Sequence, residues 1–342
     1  MRNRLAVVSL AAMSLVVGLL HLRQMYLRPH GDHPLSYSKE LRVLTYSSFV
    51  GASGPGSEIV SLFEKEHGVR VNVVTAGDAG LLLERMKIAQ ASVPFDVVIG
   101  LDQLMLPEAT KRFRWRETFF ATSGRQAVLA EFASPCFVAY DWSPLTFIYR
   151  RDARHPGEIP ARINDLTERK FKTQFALQDP HSSSPGFQFF AWVKALKGSE
   201  TEAFLRAFRP NVNSVSPSWA FSYGLFNKNQ TRFVWSYLTS LAYHWGANGA
   251  RDYQVVVFRE GHPVQVEYVG IPQDCRECEL AQAFVEEMLH PRAQTLIMEK
   301  NFMFPVIKGL ERGTVFSELP QLKTVMTEAG RDFSEWDRVF QH

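Results

Sequence analysis

The sequence predicts an α/β protein built as two lobes. Strand patterns and helix patterns alternate along a chain of 342 residues, of which 46% are hydrophobic and 13% are aromatic. This alternation is typical of a mostly parallel sheet that has helices on both faces. A chain of this length exceeds one compact core of ordinary size, so we expect two lobes.

The predicted elements follow one another without an internal repeat. The predicted strands are Leu41–Tyr46, Val69–Val74, Asp96–Ile99, Phe147–Tyr149, Phe175–Leu177, Phe233–Ser236 and Tyr253–Val257. The predicted helices are Gly56–His67, Leu81–Ala91, Phe187–Leu196, Thr201–Phe208, Glu279–Leu289 and Arg292–Lys300. We therefore expect one lobe of residues 40–139 with 261–342, a second lobe of residues 140–260, and crossovers near 140–142 and 258–262. Ligands of open α/β sheets bind beyond the carboxyl ends of the strands, so the cleft between the lobes is the expected site.

The first 30 residues have the pattern of an export signal. Arg2 and Arg4 precede an apolar run over residues 5–20, as in secretory signal peptides. The run is shorter than the roughly 20 residues that usually span a membrane. We expect residues 1–30 to be a cleaved signal peptide or an uncleaved anchor in the inner membrane. Either one places the rest of the chain in the periplasm.

The charge distribution and the cysteines restrict the kinds of partner. Four of the 38 basic residues lie in the first 30 residues, which contain no acid, and no basic stripe follows. We therefore expect no nucleic-acid partner. Cys275 and Cys278 are close enough to form a small disulfide loop in an oxidising compartment. A zinc site would need a second cysteine pair, so no metal is expected, and Cys136 has the pattern of a small buried apolar residue.

Short segments between about residues 41 and 308 resemble the thiamine-binding periplasmic receptors, and they occur in the family's order. These segments are TYSSF at 45–49, GPG at 54–56, GDA at 77–79, LLER at 82–85, DVVIGLD at 96–102, QDPHSSSPG at 178–186, SYGLF at 222–226, SYLTS at 236–240, AYH at 242–244, EGH at 260–262 and NFMFPV at 301–306. The resemblance implies a type 2 periplasmic-binding-protein fold, with a ligand cleft between two lobes joined by two crossover segments. It implies a monomer that captures thiamine, or its monophosphate or diphosphate, for the membrane permease of an ABC importer. It implies no cofactor and no catalysis.

The resemblance also implies a set of ligand-binding residues. Asp78 matches the family's acidic ligand and is expected to balance the cationic thiazolium, although the local sequence is equally that of a helix cap. Aromatic rings are expected to stack on the flat rings of the ligand. The implied set is Tyr46, Asp78, Ala79, Ser183, Ser184, Trp219, Tyr237, Leu238, Thr239, Ser240, Tyr243 and Phe302.

Two features of this set bear on ligand choice. Ser183 and Ser184 stand at a predicted helix start, where free backbone N–H groups suit a phosphate or a hydroxyl, although an ordinary capped helix explains them as well. Phe302 stands where the better-known family members have tryptophan, and Leu238 replaces a residue with a hydroxyl group. We expect a weaker cation–π attraction and one hydrogen bond fewer, which leaves the choice between thiamine, its phosphates and a related base open.

Two other functions remain compatible with the sequence. The first is a receptor of the same fold for ferric iron, a polyamine or another cationic heterocycle. Iron receptors usually supply adjacent tyrosines, which the sequence lacks, and polyamine sites need several acids, for which Asp78 and Asp102 are the candidates. The second is an enzyme like the type I thiaminases, with Cys136 as the nucleophile and Glu260 as the base. The EGH segment that contains Glu260 also resembles the non-catalytic receptors.

Overall fold

The computed structural model describes residues 39–89, 94–118, 125–151, 158–247 and 249–341. Residues 39–342 form one compact unit. The predicted signal peptide or anchor lies outside the described residues. Among the residues that are described, no helix has the length and apolar character needed to cross a membrane.

The strands and helices of the described ranges alternate as predicted in the first half of the chain. The strands are β1 (Glu40–Thr45), β2 (Arg70–Thr75), β3 (Val97–Asp102), β4 (Phe137–Arg150), β5 (Phe175–Gln178), β6 (Val212–Ser216), β7 (Phe233–Tyr237), β8 (Tyr253–Val255), β9 (His262–Gly270), β10 (Phe304–Pro305) and β11 (Thr324–Val325). The helices are α1 (Gly56–His67), α2 (Leu82–Ala89), α3 (Leu106–Arg112), α4 (Ser184–Lys197), α5 (Thr201–Phe208), α6 (Trp219–Asn227), α7 (Ser240–Ala242), α8 (Cys278–Leu289), α9 (Pro291–Leu296) and α10 (Ser334–Phe340).

The strands form one mixed sheet in the order β2-β1-β3-β9-β4-β7-β5-β6, and β8, β10 and β11 pair outside this path. β1 is parallel to β2 and β3, and β5 is parallel to β6 and β7. The expected mostly parallel sheet is therefore wrong at its centre. There, β9 is antiparallel to β3 and β4, and β4 is antiparallel to β7.

The two central strands were predicted in part or not at all, and β6, α3 and α6 were not predicted either. β4 has 14 residues, whereas only Phe147–Tyr149 was predicted, and a proline within such a run is unusual for a central strand. In the structure, Pro144 lies where β4 changes partners: the strand pairs with β9 up to Pro144 and with β7 from Leu145. β9 was missed altogether, although Val264, Val266 and Tyr268 alternate with polar residues, because both faces of this strand are buried.

Buried apolar residues group according to these two halves of the sheet. One cluster surrounds β1, β3 and β9 and includes Leu44 and Val266, and another surrounds β5, β7 and α4 and includes Trp192 and Trp235. Cluster membership changes between Tyr140 and Leu145, and changes back between Phe258 and Val264. The C-terminal helix α10 packs on the second cluster through Trp336. The lobe boundaries given above stay a prediction.

Local sequence explains where the helices that border the site begin and end. α1 ends at Gly68, which adopts a φ of 63° that favours glycine and donates its N–H to the carbonyl of Glu64. α4 begins at Ser184 with Pro185 in its first turn. α6 begins after Ser218, whose hydroxyl oxygen accepts the N–H of Phe221 at 3.3 Å. The first residues of α4 and α6 lie beside the same cavity.

Candidate functional site

A cavity of about 320 Å³ is bounded by segments from both halves of the sheet. Tyr46 and Asp78 follow the carboxyl ends of β1 and β2, Glu267 lies in β9, and Ser184 and Trp219 begin α4 and α6. The cavity is lined by Tyr46, Ser48, Ser53, Asp78, Ala79, Ser184, Pro185, Trp219, Ala220, Tyr223, Gly224, Asn227, Tyr237, Ser240, Tyr243, Glu267, Lys300, Asn301, Phe302 and Met303. The site therefore lies at strand ends, as expected for an open α/β sheet.

The rim of the cavity, which we define as residues 78–80, 182–184 and 219, is joined by backbone contacts. The Asp78 carboxylate accepts the N–H of Ala79 at 2.7 Å and the N–H of Trp219 at 2.8 Å. Gly80 approaches Ser182 so closely that a Cβ on Gly80 would lie 2.4 Å from the Ser182 carbonyl oxygen. Burial raises the pKa of Asp78, and the two backbone N–H groups oppose this rise. Asp78 thus caps the helical turn that follows it and also binds the start of α6.

Aromatic rings form the walls. Trp219 stacks on Tyr223 with 4.9 Å between ring centroids, and its Nε1 donates to the Ser236 hydroxyl at 2.8 Å. Tyr243 meets Phe302 edge to face at 5.2 Å. Phe302 has a φ of 52°, in the left-handed region, where it ends the helical segment before it. Such ring faces attract flat and cationic molecules.

The floor of the cavity, which we define as Glu267 and Asp141 with their partners, holds two buried carboxyls. Glu267 is 4% exposed and accepts hydrogen bonds from Tyr46 at 2.8 Å and Tyr140 at 2.5 Å on one oxygen, and from Gln265 at 2.9 Å on the other. Asp141 accepts a hydrogen bond from the Asn301 amide at 2.8 Å.

These surroundings keep the floor carboxyls from ionising easily. Burial raises the pKa of Glu267 to about 7 and raises that of Asp141 well above its usual range. Their hydrogen-bond partners within the described chain are all uncharged. Among the described residues, no hydrogen-bonded cation therefore balances the floor when it ionises.

Nine of the predicted ligand-binding residues line this cavity: Tyr46, Asp78, Ala79, Ser184, Trp219, Tyr237, Ser240, Tyr243 and Phe302. Ser183, Leu238 and Thr239 are not among the lining residues. All three are buried: Leu238 packs in a third apolar cluster, and the Thr239 hydroxyl lies 3.2 Å from that of Ser143. The ligand contacts of the whole set stay a prediction.

The sequence analysis missed several lining residues, of which Glu267 is the most informative. Glu267 stands between Val266 and Tyr268 in a strand whose nine residues are all buried. An acid in such a run is the signal that could have found it, because an ionisable group is rarely buried without a partner. Ser48 and Ser53 lie in turns and Asn301 ends a helical segment, and none of the three gave a comparable signal.

The residues proposed for a thiaminase-like reaction lie elsewhere. Cys136 borders a separate surface hollow together with Trp115 and Gln273, and burial raises the pKa of its thiol. Glu260 accepts the N–H of Ile163 at 3.3 Å and does not line the cavity. Cys275 and Cys278 form a disulfide at the start of α8. The described residues contain no group of three or more His, Cys, Asp or Glu side chains that could hold a metal ion.

Comparison with known proteins identifies the family. The sequence matches the family described as bacterial extracellular solute-binding protein over residues 41–303. The chain belongs to this family. A curated relative of this solute-binding family, the thiamine-binding periplasmic protein of Brucella abortus, is 33% identical over 81% of this chain and 83% of its own length. The thiamine-binding periplasmic protein of Escherichia coli is 30% identical over 90% of this chain and 95% of its own length.

Solved structures place the chain among the type 2 periplasmic binding proteins. A periplasmic thiamin binding protein superposes with a TM-score of 0.81 at 28% identity, covering 92% of this chain and 99% of that one. The apo ferric ion-binding protein A of Pasteurella haemolytica superposes with a TM-score of 0.68 at 16% identity, covering 88% of this chain and 94% of that one, and at this identity the likeness shows the fold alone. The predicted fold class and the resemblance to thiamine-binding receptors are confirmed.

Proposed function

We propose that this solute-binding protein captures thiamine, or a phosphate ester of thiamine, outside the cytoplasm and delivers it to an ABC importer. The observation that carries the proposal is a cavity with aromatic walls whose buried charged groups are carboxyls. Thiamine has a permanently cationic thiazolium and a flat aminopyrimidine. A cation in a partly dry site needs an opposite charge or a ring face, and the cavity offers both.

The walls and the rim suit different parts of this ligand. Trp219, Tyr243 and Phe302 supply ring faces, each worth about 0.5–2 kcal/mol against a cation depending on desolvation. Ser184 begins α4, whose first N–H groups can bind the hydroxyl of thiamine or a phosphate in its place. The cavity volume lies at the small end of the range that is usual for small-molecule sites.

The rim contacts support delivery by closure. The bond between Asp78 and the N–H of Trp219 joins a β2 loop to α6, and ligand bound between these segments would favour the joined arrangement. We propose that this closed form of the monomer docks on the membrane permease of the importer. The positions of Cys136 and Glu260 outside the cavity support binding without catalysis.

Calorimetric titration of the purified protein tests the proposal. We expect thiamine to bind one-to-one with a dissociation constant below about 1 μM, which corresponds to more than roughly 8 kcal/mol. Parallel titrations with the monophosphate and the diphosphate rank the phosphate preference, and spermidine and ferric citrate serve as controls for a polyamine receptor and an iron receptor. Folded protein that gives no heat with thiamine or either phosphate would refute the proposal. Binding of spermidine or iron instead would move the chain to another ligand class.

A further inference from the structure

The two carboxyls that line the cavity, those of Asp78 and Glu267, differ in the hydrogen-bond donors that they accept from the protein. Each Asp78 oxygen accepts a backbone N–H, and one of these N–H groups lies at the start of α6, where the helix dipole is positive. The rim itself therefore partly compensates the charge of Asp78, although burial still raises its pKa. Glu267 has uncharged partners, two tyrosine hydroxyls and the Gln265 amide. These donors stabilise its charge when it is present, but no cation among the described residues is hydrogen-bonded to it.

We propose that Glu267 is the residue that selects the ligand by charge: its buried carboxylate favours a cationic heteroaromatic ring over a neutral ring of the same shape. Asp78 has a different role and holds the rim together whatever the charge of the ligand. This inference rests on the proposed function, because it assumes a ring-bearing ligand in this cavity. It goes further by assigning the discrimination to one carboxyl in β9.

Other titratable groups surround Glu267, and none of them supplies a compensating cation. The groups facing it are Tyr46 after β1, Tyr140 and Asp141 in β4, Asp102 in β3, Tyr237 in β7, Asp78 at the rim and Lys300 on the lining. Lys300 is ion-paired with Glu58 of α1. Asp102 does not line the cavity, and its carboxylate is held by the N–H groups of Leu104 and Met105 and by Gln188.

The ionisation of Glu267 makes this selection dependent on pH. Burial raises the pKa of Glu267 to about 7, so the carboxylate forms as the pH rises through neutrality. The preference for a cation should accordingly be strongest above pH 8 and weakest below pH 6. The tyrosine hydroxyls around Glu267 have pKa values raised by burial and stay protonated throughout this range.

The test compares thiamine with a neutral analogue in which a thiophene ring replaces the thiazolium. Both compounds keep the aminopyrimidine. The dissociation constant of the analogue divided by that of thiamine therefore measures the preference for the charged ring. We expect Glu267→Gln to reduce this ratio about 10- to 100-fold at pH 8.5, the range for a buried charged contact. Asp78→Asn should weaken both ligands together and leave the ratio within about threefold. Glu299→Gln removes the same charge at an exposed position and serves as the matched control.

The outcomes separate this inference from the function on which it rests. A wild-type protein that binds neither compound refutes the proposed function. If the wild-type protein binds thiamine and Glu267→Gln leaves the ratio unchanged, the role of Glu267 is overturned and the proposed function stands. The same holds if Asp78→Asn abolishes the preference for thiamine over the neutral analogue. Should Glu267→Gln not fold, the wild-type ratio measured from pH 5.5 to 8.5 decides: a rise with pH supports the inference, and a flat ratio overturns it.

Discussion

The rim holds the half-buried carboxyl of Asp78 and the floor holds the buried carboxyl of Glu267, but the two are bound in different ways. At the rim, backbone N–H groups of Ala79 and Trp219 hold Asp78. At the floor, side chains of Tyr46, Tyr140 and Gln265 hold Glu267. Backbone groups at a helix start bring positive potential, whereas hydroxyl and amide side chains are neutral. The same type of group is therefore structural in one place and available to a ligand in the other.

This comparison also predicts opposite energetic costs. The rim carboxyl stabilises an arrangement of two segments, so its loss should affect closure. The floor carboxyls are buried close to each other and destabilise the folded protein when they ionise. The desolvation of each charge is not offset by a hydrogen-bonded cation among the described residues. A buried carboxyl that lowers the stability of the protein is consistent with a role in selecting the ligand.

The largest effect is expected from Gly80→Ala at the rim. The new Cβ would lie 2.4 Å from the Ser182 carbonyl oxygen and 2.9 Å from the Ser183 nitrogen, which are backbone atoms that cannot move aside cheaply. Thiamine affinity should fall by about 3 kcal/mol, or roughly 100-fold, as the rim is forced apart. Gly330→Ala, where nothing lies within 4 Å of the new Cβ, is the control in the same titration. Equal affinities for the two variants would contradict the tight rim.

Asp78→Asn should have the next largest effect. The amide keeps one acceptor but presents an N–H₂ group to a backbone N–H, so one charge-assisted hydrogen bond is lost. We expect roughly 2 kcal/mol weaker thiamine binding by calorimetry. The neutral thiophene analogue should lose the same amount. If only thiamine loses affinity, Asp78 instead discriminates between charged and neutral ligands. The distinction between rim and floor would then be wrong.

Glu267→Gln should stabilise the ligand-free protein at alkaline pH. The pKa of Glu267 is raised from an ordinary 4.5 to about 7, so the folded state keeps a proton that the unfolded state has released. Stability from this group is complete below about pH 4.5 and is lost as the pH rises to about 7. Urea unfolding at pH 8 should show the variant more stable than wild type, and the gain should vanish near pH 4.5. A variant that is less stable than wild type at pH 8 would contradict the idea that the ionised Glu267 carboxylate destabilises the protein.

The smallest effect is expected from Phe302→Trp on the wall. The larger indole face should strengthen the cation–π contact by about 0.5 kcal/mol, or roughly twofold in affinity for thiamine. Phe302→Leu, which removes the ring, should weaken binding by more than this. The neutral analogue should respond less than thiamine to both changes. An indole that weakens thiamine binding would mean that the left-handed backbone at residue 302 does not admit the larger ring.

Much of the fold could be predicted because its signals are local. The bounds of α1 and α5 were given by apolar spacing and by end residues such as Gly68, and β1, β2, β5 and β7 were found within one or two residues. The central strands were not, because partner exchange at Pro144 and two-sided burial of β9 remove the usual signals. Predicted α2 was extended to residue 91, beyond the described range, and its start proved to be a separate helical turn at Ala79–Leu81.

The candidate site was found partly by resemblance and partly not at all. Tyr237 and Tyr243 lie in segments that resemble a known family, and the structure places both on the cavity. Glu267 lies in none of the segments that resemble the family. Only the folded structure shows that it lies on the cavity beside Tyr46 and Tyr140, which are more than 120 residues away in sequence.

The sequence by itself determined the α/β character, the start of α4 beside the cavity, and the family, because capping, periodicity and motif order are properties of consecutive residues. The tertiary structure alone decided which carboxyl is compensated. That depends on whether Asp78 meets the amide of Trp219 and whether Glu267 meets uncharged side chains, contacts that span 141 and 221 residues of sequence. Electrostatic compensation acts over a few ångströms of space, so only the folded arrangement of strands sets it.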